Sequence, residues 1–189
     1  MQHGHARFIL PPLVHLAMRA KMLQPYRARI VGAAEGRVLE FGIGSGLNLP
    51  LYGSKVSSVV GIEPSPELLR MARRRSDEAH VPVELLEATA EALPVDDGSI
   101  DTVVTDLPYG QLVGSDVALE TLYLGILAEA TRVIAPGGHL MTVTTRNKLF
   151  DDALEPVRQY WRTERRLSLK VPFRSGYIQP TVYSLRKVR

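Results

Sequence analysis

Apolar and polar positions along this chain follow two periods. Short apolar, β-branched runs at 38–41, 56–63, 83–86, 101–106 and 139–145 read as buried strands. Between them, apolar residues recur at three- and four-residue spacing over 12–34, 64–79, 117–134 and 150–161, which is the period of an α-helix. A short helix is expected over 48–52. Pro25 is expected to divide the first helical stretch near Gln24, and Pro136, Gly137 and Gly138 to stop the helix that precedes them. The pattern closes with strands at 167–171 and 181–185, paired across a long turn. Strands alternating with helices predict an α/β fold: a seven-stranded, mostly parallel sheet with helices on both faces, ending in an antiparallel strand.

The first strand runs into the segment Glu40-Phe41-Gly42-Ile43-Gly44-Ser45-Gly46. Glycine reaches positive φ at little cost and has no Cβ to hold a ligand away from the backbone, so this loop predicts a close approach. A G-x-G-x-x-G dinucleotide fingerprint starting at Gly42 fails, because Ser45 and Leu47 stand where its third glycine would be. Glu63 ends the second strand, where a carboxylate is placed to accept hydrogen bonds from ribose hydroxyls. The two features together point to a nucleoside site.

The fourth strand ends in Asp106-Leu107-Pro108-Tyr109-Gly110. Ligands of open α/β sheets sit beyond the carboxyl ends of the strands. An exocyclic amine on an aromatic ring is a poor nucleophile because its lone pair is delocalised. A carboxylate and a backbone carbonyl accepting its two hydrogens would orient it. Asp106 and the carbonyl of Leu107 or Pro108 supply such acceptors, Pro108 presets the turn, and Tyr109 can stack on the ring.

Charge refines this picture. The net charge is +3, but residues 1–139 carry 12 Lys/Arg against 16 Asp/Glu, while residues 140–189 carry 11 against 4. A basic C-terminal third suits an anionic partner, RNA being one possibility, with Phe173 and Tyr177 interleaved among Arg165, Arg166, Lys170 and Arg174. The run Arg73–Arg75 reads as a solvated helix face. The chain has no cysteine, so disulfides and thiolate metal sites are excluded, and no metal site is expected. His3 and His5 read as solvated. No apolar run approaches a membrane span and no secretory signal is seen, so the chain reads as one soluble, cytoplasmic domain over 1–189, with N-terminal helices over 1–34. Those helices could cover the ligand or simply one edge of the sheet.

The stretches from Glu40 to Tyr52 and from Gly61 to Arg73 resemble class I S-adenosylmethionine-dependent methyltransferases, with their Rossmann-like fold. The resemblance implies S-adenosylmethionine as cofactor. It implies Gly42, Gly44, Gly46 and Asn48 beside that cofactor, Glu40 near its amino-acid end, and Glu63 with Pro64 at its ribose. It places the adenine near Thr89, Ala90 and Glu91. That family commonly has an aspartate where Thr89 stands. Asp106-Leu107-Pro108-Tyr109 is similar to the Asp/Asn-Pro-Pro-Tyr motif of amino-methylating nucleic-acid methyltransferases. With Gly114, Ser115, Leu122 and Tyr123, it most resembles the tRNA guanine-N2 methyltransferases that carry a THUMP domain, although 189 residues leave no stretch for that domain. The resemblance makes Asp106, Pro108 and Tyr109 the catalytic set. Three functions stay open: an N-methyltransferase of a base amine in RNA, a methyltransferase of a small molecule or lipid, and an inactive cofactor-binding module.

Overall fold

The structure is a computed structural model that describes residues 24–89, 93–107, 116–173 and 176–189. Its strands are β1 Gly36–Phe41, β2 Val56–Ile62, β3 Val83–Leu86, β4 Ile100–Asp106, β5 Ile134–Thr144, β6 Trp161–Ser168, β7 Val171–Phe173, β8 Gly176–Ile178 and β9 Thr181–Lys187. Its helices are α1 Gln24–Val31, α2 Pro66–Ser76, α3 Asp116–Val133 and α4 Asn147–Leu154. Seven strands form one sheet in the order β3-β2-β1-β4-β5-β9-β6. The strands from β3 to β5 are parallel, whereas β9 runs antiparallel to both β5 and β6. Strand order reverses between β1 and β4, which is where a ligand crevice opens in such sheets.

Alternation along β1 sorts the core into two layers. Leu39 and Phe41 face α3 and α4, together with Val103, Leu140 and Phe150. Val38 faces the other way, among Val31, Leu49, Tyr52 and Val104. Central parallel strands are buried on both faces, and this explains why their sequences read as continuous apolar runs. α3 buries Leu119, Tyr123, Ile126, Leu127, Ala130 and Val133, at the spacing of one helical face. Its C-terminal end is tied down by β9: Lys187 Nζ donates to the carbonyls of Thr131 at 2.7 Å and Ile134 at 2.6 Å. Lysine at a helix C-terminus also meets the negative end of the helix dipole.

Several element bounds differ from the sequence reading, each for a local reason. The helix expected over 150–161 is α-helical only through Leu154. Pro156 lacks the N–H that would continue it, and a 3-10 turn Glu155–Tyr160 takes over. Trp161 then opens β6, a strand the hydrophobic pattern missed because Arg162 to Ser168 are all exposed. A charged edge strand of this kind discourages pairing with other chains. The partner of β9 is therefore β6, which shares only Leu167 and Ser168 with the expected strand 167–171, while Val171–Phe173 pairs with Gly176–Ile178 in a separate small ribbon.

α3 ends at Val133, ahead of Pro136-Gly137-Gly138 as expected, and the chain passes straight into β5. The three residues form an irregularity inside that strand, where the register with β4 shifts. Gly137 has φ +87°, and a Cβ on Gly138 would lie 2.6 Å from the Asp101 carbonyl oxygen. The 48–52 segment is a single 3-10 turn, Leu49–Leu51. α2 begins at Pro66, capped by Ser65, so Pro64 lies outside it. Pro25 sits in the first turn of α1, and the expected helix before it falls outside the described residues. No helix among the described residues is long and apolar enough to cross a membrane.

Candidate active site

The carboxyl ends of β1, β2, β4 and β5 surround a cleft of about 180 Å³. Glu40, Gly42, Gly44, Asn48, Glu63 and Asp106 line it together, so the sequence-derived site residues of three separate strand ends converge. Asp106 is the last residue of β4 and is exposed; its strand neighbour on β5 is Val143, which also lines the cleft. The next amide, that of Leu107, donates to the Val143 carbonyl at 3.1 Å.

The glycines of the loop divide their work. Gly42 and Gly44 have φ +65° and +58°, and a Cβ on Gly42 would meet nothing within 4 Å while one on Gly44 would meet only the Gly42 carbonyl. They are bare backbone beside open space. Gly46 is different: its Cβ would lie 2.9 Å from Leu49 Cδ1 and 3.1 Å from Ala72 Cα. It lets α2 pack against the loop and does not line the cleft. Arg75, read from sequence as solvated, reaches back from α2 and donates to the Ser45 carbonyl at 2.8 Å.

Two buried carboxylates hold the loop. Glu63 Oε2 accepts the Gly44 N–H at 3.1 Å, and Oε1 accepts the Ser65 N–H at 2.9 Å. Burial pushes the Glu63 carboxyl above its ordinary value, and these two donors oppose the shift. Glu40 is 3% exposed. Its Oε2 accepts from the Tyr52 hydroxyl at 2.6 Å, and its Oε1 accepts from Asn48 Nδ2 at 2.7 Å. Burial, then the Glu40 charge, pushes the Tyr52 phenol up, so Tyr52 keeps its proton as the donor. Asn48 Oδ1 is buried and accepts no hydrogen bond from the described residues.

Sequence reasoning missed several contributors. Tyr52 closes the stretch that carries the resemblance, but nothing in the sequence pairs it with Glu40. Ile30 and Val31 of α1, Leu68 of α2 and Val143 of β5 also line the cleft, and only chain folding brings them there. Tyr123, within the resemblance, is buried and shares a hydrogen bond with Thr144 at 2.9 Å. Thr89 and Pro64 are exposed and stand outside the cleft lining. Ala90, Glu91, Pro108 and Tyr109 lie outside the described residues.

These groups fit S-adenosylmethionine. Bare backbone at Gly42 and Gly44 admits a ligand at contact distance, and the Glu63 carboxylate has acceptor capacity beyond its two amide bonds. No phosphate-binding array is needed for this cofactor.

Known proteins agree with that assignment. The bovine (Bos taurus) tRNA (guanine(6)-N(2))-methyltransferase THUMP3 is 31% identical over 108 residues, covering 57% of this chain and 21% of that protein. A phosphatidylethanolamine N-methyltransferase of Cereibacter sphaeroides is 47% identical over 76 residues, covering 39% of this chain and 37% of its own length. The chain thus spans well under half of either relative. Among solved structures, TrmN from Thermus thermophilus superposes with a TM-score of 0.69 at 25% identity, covering 88% of this chain and 48% of TrmN. The structural neighbours are S-adenosylmethionine-dependent methyltransferases, and S-adenosylmethionine is the cofactor of this fold. Residues 46–172 match the RMKL-like, methyltransferase domain family, and the chain belongs to that family.

Proposed function

We propose that this chain transfers a methyl group to an exocyclic amine of a nucleobase in RNA, with guanine N2 the favoured atom. The observation that carries the reading is Asp106 at the end of β4, on the same cleft as Gly42, Gly44 and Glu63. The likeness to a tRNA guanine-N2 methyltransferase supports it.

When bound, S-adenosylmethionine supplies a methyl on a positively charged sulfur. The protein's task is then mainly alignment of the acceptor. Gly42 and Gly44 let the cofactor lie against the backbone. Glu63 takes the ribose hydroxyls. Asp106 accepts a hydrogen bond from the acceptor amine, aims its lone pair, and takes up the proton released after transfer. Pro108 and Tyr109, which follow Asp106 in the chain, would shape the acceptor site and stack on the base.

The basic C-terminal third gives the RNA reading a surface. Part of its charge is engaged within the chain: Arg166 is paired with Asp151, Arg158 with Glu155 and Lys148 with Asp152. Arg165 is exposed, and Tyr177 is 63% exposed with Lys170 Nζ 4.2 Å from its ring centroid. An exposed aromatic ring beside a cation suits base stacking. Arg174 lies outside the described residues.

A second reading is methylation of a small amine or lipid headgroup, favoured by the likeness to a phosphatidylethanolamine N-methyltransferase. One experiment separates the two. Methyl-tritiated S-adenosylmethionine is offered with unmodified bulk tRNA, with small amines and with phosphatidylethanolamine vesicles in parallel. Label in tRNA, recovered as N2-methylguanosine, is the expected result. Label only in the amine or vesicle reactions overturns it.

A further inference from the structure

A second, larger hollow of about 760 Å³ lies between α1 and the strands β5, β9 and β6. Strand register joins it to the cleft. Val143 of β5 stands opposite Val182 of β9, and Val182 stands opposite Leu167 of β6, so the three side chains form one row on one face of the sheet. Val143 lines the cleft, Val182 and Leu167 line the hollow, and Ile30 of α1 lines both. The next row, Met141, Ser184 and Arg165, belongs to the hollow alone. The floor is therefore largely apolar: Met141 and Val182 are half-buried, and Leu167 is 44% exposed.

The rim carries positive charge. Two acids line the hollow, and each already faces cations of the chain. Glu35 is paired with Lys55, and Glu164 lies 3.3 Å from Arg162, 3.9 Å from Arg186 and 3.4 Å from His139 Nε2. Arg29 on α1 and Arg165 on β6 are exposed, line the hollow, and make no ion pair among the described residues. An apolar floor flanked by two such cations matches a single strand of nucleic acid, which pairs base faces with a phosphate backbone. A base that enters the cleft must leave its stack, so the chain beside it is locally single-stranded. A concave groove leading into the cleft suits such a strand better than a planar lipid surface.

We infer that this groove is the docking surface for the RNA that flanks the acceptor base: the strand leaves the cleft over Val182 and Leu167, with its phosphates on Arg29 and Arg165. The inference rests on the reading that the acceptor is a base in RNA.

The test neutralises the two arginines together, Arg29→Gln with Arg165→Gln. The comparison is Arg73→Gln with Arg74→Gln, an equal change of charge on the exposed side of α2, which packs on β3 at the far edge of the sheet. Binding of fluorescently labelled, unmodified tRNA to the full chain is measured over a salt series, beside KM and kcat for tRNA methylation and calorimetry with S-adenosylmethionine. The groove variant is expected to lose about tenfold in tRNA affinity, with a matching rise in KM. Its slope of log affinity against log salt should become shallower by about 1.4, at about 0.7 per lost phosphate contact. kcat and S-adenosylmethionine affinity should stay within about twofold, and the α2 variant should match the wild type throughout. Equal losses in the two variants would mean diffuse surface charge and overturn the inference. So would tight binding to phosphatidylglycerol vesicles, in place of tRNA, that the groove substitutions abolish. A wild type that methylates tRNA with a KM the groove substitutions leave unchanged sinks the groove alone. A wild type that neither binds nor methylates tRNA sinks the RNA reading and the groove with it.

Discussion

The amide of Gly44 donates to Glu63 Oε2 at 3.1 Å, which ties the loop after β1 to the end of β2. The two features that first suggested a nucleoside site are therefore one hydrogen-bonded unit. In the proposed site, where Glu63 takes the ribose hydroxyls, cofactor binding depends on the charge of Glu63.

Burial holds the Glu63 carboxyl above its ordinary value of 4.5. The folded protein thus keeps a proton at a pH where the unfolded chain has released it. The stability contributed by this group is full below the unfolded value and is lost as pH rises through the raised folded value. For the proposed ribose contact the sign is opposite, because an ionised carboxylate accepts stronger hydrogen bonds from hydroxyls than a protonated one does. Affinity for S-adenosylmethionine should fall on acidification, starting above pH 4.5. Glu63→Gln should weaken binding about tenfold and remove that acid limb, as read by calorimetry across the pH range.

Asp106→Asn tests the acceptor side. The variant keeps an oxygen acceptor but loses the charge and the proton acceptor. Turnover should fall by about 10²–10⁴-fold while S-adenosylmethionine affinity stays within about twofold. Unchanged turnover would remove Asp106 from the proposed chemistry.

The glycines should separate binding from stability. Gly42→Ala puts a methyl into open space beside the cleft, so cofactor affinity should suffer more than the melting temperature. Gly46→Ala puts one 2.9 Å from Leu49 Cδ1 and 3.1 Å from Ala72 Cα. Overpacking and the positive φ should together cost about 2–4 kcal/mol of stability. Denaturant unfolding of the two variants, with parallel cofactor titrations, measures both effects.

Lys187 gives a prediction remote from the site. Its ammonium satisfies the carbonyls of Thr131 and Ile134, where α3 turns into β5. Lys187→Met keeps most of the side-chain volume and leaves both carbonyls without that donor. A loss of about 1–3 kcal/mol is expected, seen as a lower denaturation midpoint with cofactor affinity unchanged.

The α/β alternation, the glycine loop and the acids near the ends of β1 and β2 are legible in the chain alone, because they depend on local period and backbone freedom. Asp106 is legible for the same reason, since a strand end followed by Leu107-Pro108 is a local signal. What each group touches is set by packing. Gly46 became a packing glycine only when α2 came to rest on it, and Arg75 became a loop anchor only through Ser45. β6 was hidden because an exposed edge strand has no apolar alternation to read. Tyr52 and Glu40, in different elements, form a buried pair that no periodicity encodes. Hydrophobic pattern reports which side of an element is buried, whereas hydrogen-bond partners are fixed by the register and packing of elements distant in the chain.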